Sequence, residues 1–410
     1  MVGQTIKPGF KKTEIGEIPE EWKLKPLEQL CEIYDNERIP LSDKIRKNRK
    51  GFFPYCGANG IVDYIDDYLF DGEFVLLAED GGYYGKSEPS AYLMKGKFWV
   101  NNHAHVLRGI QDEMENGFLL NSLIYLDIAR YIFGTTRLKL NQQVMRSILL
   151  AVPNFNEQQK IAKILSNTDS LIESLDKLIS KKRNIKQGLM QTLLTRGIGH
   201  TKFKKTEIGE IPEEWEISLL SNCSVKIVDR DHRTPKYAKQ GFPLVSPENF
   251  FGVNNIDFSE CRRISEEELL LDRKKCDPIE GDILFSRIGT IGLVRLIETE
   301  RIFSVLHSIA LIRPNEKNIE KEFLFQYLQF KVVQNQIKKV TQSIGTPDVG
   351  IEKIRSLIVS IPSIHEQQKI AEILSDADKE IEVLEQKRYK YEMLKTGMMQ
   401  QLLTGGIRVK

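Results

Sequence analysis

The sequence predicts an α+β protein built twice: two globular, mixed α/β segments, each followed by a long helix. Three observations predict this. The thirteen residues FKKTEIGEIPEEW at 10–22 recur letter for letter at 203–215. A second pair of segments, 157–198 (EQQKIAKILSNTD…LLTRGI) and 366–407 (EQQKIAEILSDAD…LLTGGI), aligns without a gap, over half of its positions identical. Between these shared frames the letters diverge almost completely. A chain that keeps its frame and varies its fillings carries two similar scaffolds that touch different things. The boundaries that follow are 1–155 and 201–364 for the globular segments, and 156–200 and 365–410 for the helical ones. A chain of 410 residues is also too long for one core.

In the first globular segment a strand is expected over Phe74–Leu77, after the turn signal Gly72-Glu73. An amphipathic helix is expected over Phe118–Tyr131, then Gly134-Thr135, then a strand ending at Pro153. The first long helix is expected over 156–195. Ile161, Leu165, Thr168, Ile172, Leu175, Ile179, Lys182, Ile185, Leu189 and Leu193 step by fours and threes, a seam that must bury against another helix. Asn154-x-x-Glu157 resembles a capping box, and Gly197 is a natural stop. At ~1.5 Å per residue such a helix spans about 60 Å, the proportions of a spacer.

The second segment keeps the same beat. Strands are expected at Ile283–Phe285, Leu293–Leu296 and Ser308–Ile312, a helix at Lys321–Gln334, then Gly345-Thr346 and a strand ending at Pro362. The second long helix, 365–404, has its seam at Ile370, Leu374, Ala377, Ile381, Leu384, Arg388, Tyr391, Leu394, Met398 and Leu402, a cap at Ser363-x-x-Glu366 and a stop at Gly406. Gly188 and Gly397 lie inside the helices at matching positions. Each costs about 1 kcal/mol against alanine, so they mark either a frayed last turn or close approach by another helix.

Composition narrows the function classes. Apolar residues at 41% and charged residues at 28% are ordinary for a globular protein. No apolar run approaches the ~20 residues of a membrane span, and the first residues lack the apolar core of an export signal. Five cysteines without a CxxC pair read as reduced thiols, so a cytoplasmic protein without membrane contact is expected. A net charge of +2 excludes nucleic-acid binding by bulk charge alone. Any duplex binding must use a local basic surface or be shared with a partner.

Taken together, these features resemble the specificity (S) subunit of a type I restriction–modification enzyme. The resemblance rests on FKKTEIGEIPEEW opening each half, PYCGANGIVDY at 54–64, and GDILFSR at 281–287. To these are added the P-x₃-EQQKIA-x-IL helix starts and the LLT-x-GI ends. The resemblance implies that each globular segment is a target recognition domain reading one half of a split, non-palindromic sequence in double-stranded DNA. It implies that the long helices pair as an antiparallel coiled coil, giving the internal repeat a pseudo-two-fold relation and setting the gap between half-sites. It further implies two methyltransferase (M) subunits docked on the chain, motor–nuclease (R) subunits joining them, and no chemistry by the chain itself. The alternative is a non-catalytic protein-binding scaffold with a coiled-coil spacer, kept open by the near-neutral charge.

Base readout needs Arg or Lys for guanine and Asn or Gln for adenine, and phosphates take Lys, Arg, Ser, Thr or backbone N–H. On that basis the DNA-binding candidates in the first segment are Tyr55, Asn59, Tyr83, Tyr84, Lys86, Asn101, Asn102, His103 and Arg137, several of them among glycines. Those in the second are Arg230, His232, Arg233, Lys236, Ser246, Asn249, Arg287 and Thr290. Loss of Arg233 or Arg287 is expected to weaken DNA binding without lowering thermal stability. The basic run Lys44–Lys50 reads equally as a phosphate contact or a solvated loop. His103-x-His105 lacks a third ligand, so no metal is expected. Gly289-x-x-Gly292 lacks the rest of a phosphate loop, so no cofactor is expected. Glu385-x-Lys387 reads as a surface charge pair on the second helix, and no nucleophile–base constellation is found.

Overall fold

The structure, a computed structural model, describes residues 6–132, 138–341 and 347–409. The chain divides into two compact units, the first formed by residues 1–176 and 387–410, the second by 177–386. Each long helix therefore contributes a stretch to both units.

The units repeat one internal plan. Each opens on the hairpin that FKKTEIGEIP encodes: Phe10–Thr13 with Gly16–Pro19, and Phe203–Thr206 with Gly209–Pro212. The following Trp22 or Trp215 is fully buried. The next strand, Lys23–Pro26 or Glu216–Leu219, pairs antiparallel with the last one, Leu149–Val152 or Ile358–Ile361. The central antiparallel sheet has the same strand order twice. In the first unit the order is Cys31–Ile33, Ala104–Gly109, Phe70–Ala78, Ala91–Val100. In the second it is Ser224–Asp229, Ile309–Pro314, Ile283–Ser286, Val294–Leu296. What is added differs. The first sheet extends through a parallel pairing of Ala91–Val100 with Lys50–Gly57, and then Gly60–Ile65. The second unit instead builds a separate sheet in the order Tyr237–Ala238, Arg262–Ile264, Phe242–Val245, Ser304–Val305.

The helices expected at 118–131 and 321–334 each break in the middle. Asn116–Tyr125 ends at Leu126 and Lys321–Gln329 ends at Phe330, both extended at ψ 142° and 144°. A 3-10 turn, Ile128–Tyr131, or a second helix, Lys331–Val340, follows. The Gly134-Thr135 and Gly345-Thr346 pairs lie outside the described residues.

The long helices run Phe155–Arg196 and Ile364–Leu402. Within the first unit Asp169 meets Lys395 at 2.6 Å and Asp176 meets Arg388 at 2.5 Å. Within the second, Lys182 meets Glu380 at 2.5 Å and Lys186 meets Asp378 at 2.6 Å. Partners fall along one helix as they rise along the other, so the helices pack antiparallel. The expected seam holds at Ile161, Leu165, Leu175, Ile179, Ile370, Leu374 and Ile381, all buried. Between these and the helix ends, where Leu193 and Leu402 are buried as expected, it slips by one residue. Ile185 and Leu394 are exposed, while Lys186, Met190 and Met399 turn inward. At 3.6 residues per turn a helix drifts from a strict heptad, and here the drift brings a lysine to the partner's aspartate.

The EQQ of each helix start has a structural use that the capping-box reading missed. Asn154 and Ser363 do cap, accepting from Glu157 N at 2.9 Å and Glu366 N at 3.3 Å. The glutamates, however, are engaged by the tail that follows the opposite helix. Glu157 takes both arms of Arg408 at 2.8 Å. Glu366 accepts from Ile198 N at 2.8 Å and Trp215 Nε1 at 3.0 Å, with His200 Nε2 at 3.0 Å. The buried Gln158 and Gln367 accept from Glu115 N and Glu320 N, fixing the residues that cap the next helix inward. At Gly188 and Gly397 an added Cβ would meet nothing within 4 Å, so close helix approach does not account for them. The left-handed stops are Gly197, as expected, and Gly405 rather than Gly406.

Candidate nucleic-acid interface

In the first unit, Asn59 and Tyr83 come together although 24 positions separate them. They line a cavity of about 380 Å³ with Ile61, Tyr92 and Met94. Asn59 Nδ2 donates to Gly81 O at 2.9 Å, tying two glycine turns to each other. Gly60 and Gly81 sit at φ +117° and +67°, a region that favours glycine. Tyr92 Oη donates to Gly57 O at 2.5 Å and holds the floor. Tyr83 is exposed, as are Lys86 and Asn102. The Lys86 ammonium lies 4.7 Å from the Tyr125 ring. These side chains are open to solvent.

Other candidates in this unit have internal work. Tyr55 is buried with Ile65 and Trp99, and its hydroxyl accepts from Leu41 N at 2.8 Å. Tyr84 belongs to the main core. Asn101 is buried, and its Oδ1 accepts from His103 N at 2.8 Å to shape the turn. His103 Nδ1 meets Asp80 at 2.6 Å. Arg137 lies outside the described residues.

His105 faces a different set from His103. Its ring nitrogens meet Asp35 Oδ2 at 2.6 Å and Leu140 O at 2.8 Å. Asp35, Glu79 and His105 lie close enough to share an ion. Their oxygens are already taken: Asp35 by Gln142 and Val106 N besides His105, Glu79 by Arg38 at 2.6 Å and Lys139 at 2.8 Å. Burial pushes both carboxyls up, but these donors outweigh it and hold them below the usual carboxylate range. The cluster is a neutralised buried network. Of the basic run, Arg46, Arg49 and Lys50 are paired to Asp43, Asp63, Asp66 and Asp67, while Lys44 and Lys47 are exposed without an ion-pair partner among the described residues.

In the second unit the three candidate arginines have internal partners. Arg230 has no exposed side chain and is held by Asp272 at 2.8 Å and Glu268 at 2.6 Å. Arg233 pairs with the same two carboxylates. Arg287 is buried: Nε donates to Val349 O at 3.0 Å, Nη1 to His307 O at 2.9 Å and Nη2 to Asp348 at 2.9 Å. The expectation that loss of Arg287 leaves thermal stability unchanged is therefore corrected, because its removal would strip a buried frame of three hydrogen bonds. His232 is exposed on one side and meets Asp229 at 3.0 Å. Lys236 is exposed.

Ser246, Asn249 and Thr290 do converge. They line a cavity of about 440 Å³ bordered by Tyr237, Glu260 and Arg262. Asn249 is buried, its Oδ1 accepting from Ser246 N at 2.8 Å, so it shapes the wall. Tyr237, Glu260 and Arg262 were not among the sequence candidates. No local signal marks them: Tyr237 and Arg262 are 25 positions apart and meet because their strands pair in register, Tyr237 opposite Ile264.

The comparisons with known proteins agree with this plan. The family model described as "Type I restriction modification DNA specificity domain" matches residues 19–182 and again 212–392. The type I restriction enzyme MjaVIII specificity subunit of Methanocaldococcus jannaschii is 25% identical over 98% of this chain and 96% of its own length. Another protein of that organism is 28% identical over 98% of this chain and 97% of its own length. The crystal structure of a type I restriction–modification S subunit from M. genitalium superposes with a TM-score of 0.62 at 18% identity, covering 93% of this chain and 96% of that one, a likeness of fold. With both repeats matched by one family model and relatives aligned almost end to end, the chain belongs to the specificity subunits of type I restriction–modification enzymes.

Proposed function

We propose that this subunit reads a bipartite, non-palindromic duplex, one half-site by segment 1–155 and the other by segment 201–364. The observation that carries this reading is the same four-strand sheet order occurring twice with different loop surfaces mounted on it. A shared frame presents the loops alike, and different side chains then select different bases. The antiparallel long helices set the gap between half-sites and dock two methyltransferase subunits, which motor–nuclease subunits join. The subunit contributes recognition and its partners the chemistry. Five free, buried cysteines suit a cytoplasmic setting. Among the described residues no helix is long and apolar enough to cross a membrane.

The test is co-expression with the methyltransferase in an unmethylated host, followed by sequencing for methylated adenine. A split motif with a fixed gap is the expected result. A stable complex that writes no methylation, and whose DNA affinity does not fall with salt, would move the protein to the scaffold alternative.

A further inference from the structure

On the reading that the second unit recognises one half-site, we infer that Arg262 and Glu260 together read a G·C pair there through the major groove. Several arginines of this unit are committed. Arg230, Arg233, Arg287 and Arg313 are tied to carboxylates, and Arg295 donates to the carbonyls of Asn255, Val294, Phe251 and Gly252. Arg262 differs. It is exposed, and among the described residues its guanidinium meets no carboxylate. Its side-chain partner is a neutral phenol: Nη1 donates to Tyr237 Oη at 3.0 Å, with the guanidinium carbon 5.1 Å from the Tyr237 ring centroid. Such a contact holds the fork in place without neutralising it.

The surroundings favour a base edge over a phosphate. Arg262 stands on the wall of the 440 Å³ cavity, and the carboxylates of Glu248 and Glu260 line the same space. Two carboxylates repel a phosphodiester but accept from an exocyclic amino group. Cys261, between Glu260 and Arg262, is buried while both its neighbours are exposed, so the two side chains turn outward together. In the major groove guanine offers N7 and O6 to an arginine fork, and its cytosine offers the N4 amino group to a carboxylate. Arg262 and Glu260 thus match the two members of one pair.

The experiment is methylation-motif sequencing of the full chain co-expressed with its methyltransferase, as wild type, Arg262→Ala, Arg262→Lys and Glu260→Gln. In Arg262→Ala one half-site and the gap should persist, while one G·C position of the other half-site becomes degenerate. Discrimination there should fall about 10- to 100-fold. Arg262→Lys should retain part of it, and Glu260→Gln should weaken the same position. The melting temperature of each variant, expected unchanged for exposed side chains, separates loss of reading from loss of fold. An unchanged motif in Arg262→Ala, or a uniform loss at every position as for a phosphate contact, overturns the assignment. A wild-type complex that writes no split motif overturns the half-site reading itself, and this assignment with it.

Discussion

At one matching place the two units carry opposite charges on the same backbone. In the first unit Glu79 follows the long central strand; its N–H donates to His103 O at 2.9 Å and its carbonyl accepts from Leu140 N at 2.8 Å. In the second, Arg287 makes the same two bonds, to Ser308 O at 2.8 Å and from Val349 N at 2.9 Å. Glu79 is neutralised by Arg38 and Lys139, Arg287 by Asp348. The backbone bonds carry the frame, so the side-chain charge can invert provided its partner inverts too. Divergence between the units is limited by pairing rather than by residue type.

The largest expected effect breaks that rule on one side. Arg287→Ala leaves buried acceptors unpaired and should destabilise the second unit by about 3–5 kcal/mol. Urea unfolding followed by a probe in that unit would show it, and a loss near zero would mean that the frame does not depend on the pairing.

A second comparison lies on the helices. Lys186 with Asp378 and Lys395 with Asp169 occupy matching positions of the repeat. The first pair is nearly buried and Asp378 also accepts from Gln326 at 2.7 Å, whereas Asp169 is about half exposed. In unit 1 the shorter Asn121 donates instead to Gly117 O at 2.7 Å. Lys186→Met should therefore cost about 3 kcal/mol and Lys395→Met under about 1 kcal/mol. Equal melting shifts for the two variants would show that the matching position, and not burial, sets the strength.

The helix starts differ in what closes them, Arg408 on Glu157 against His200 on Glu366. Burial raises the Glu157 carboxyl, and Arg408 more than reverses this, leaving it below its ordinary value of 4.5. A lowered folded value means that this contribution is complete above the ordinary range and is lost as pH falls through the lowered value. Arg408→Ala should move the acid loss of stability in the first unit to higher pH. A pH titration of melting that is superimposable on wild type would remove Arg408 from that role. The smallest effect concerns the helix-interior glycines. With open space at both, Gly188→Ala and Gly397→Ala should each stabilise by about 1 kcal/mol. Destabilisation would reveal a partner that needs the glycine.

Much of the frame was legible in the letters. The helices were expected at 156–195 and 365–404 and run Phe155–Arg196 and Ile364–Leu402, because seam, cap and stop are all local signals. The central strands at Ile283 and Val294 were placed within a residue for the same reason. The candidate surface was legible in part. Asn59 and Tyr83 in one unit, and Ser246 and Thr290 in the other, do border open cavities. Tyr55, Arg230 and Arg287 read equally well as surface groups, and nothing nearby in sequence says otherwise. Arg287 is claimed by residues 20 and 62 positions away.

The sequence by itself determined that this protein is two copies of one scaffold joined to long helices, because repeats and helical periodicity are written in neighbouring residues. Only the tertiary structure decided which cations are spent and which remain available. Arg230 and Arg262 are the same residue type in the same unit, one sealed between Glu268 and Asp272, the other exposed beside a phenol. Burial and charge pairing are properties of distant segments brought together, and they separate a residue that builds the frame from one that a partner can meet.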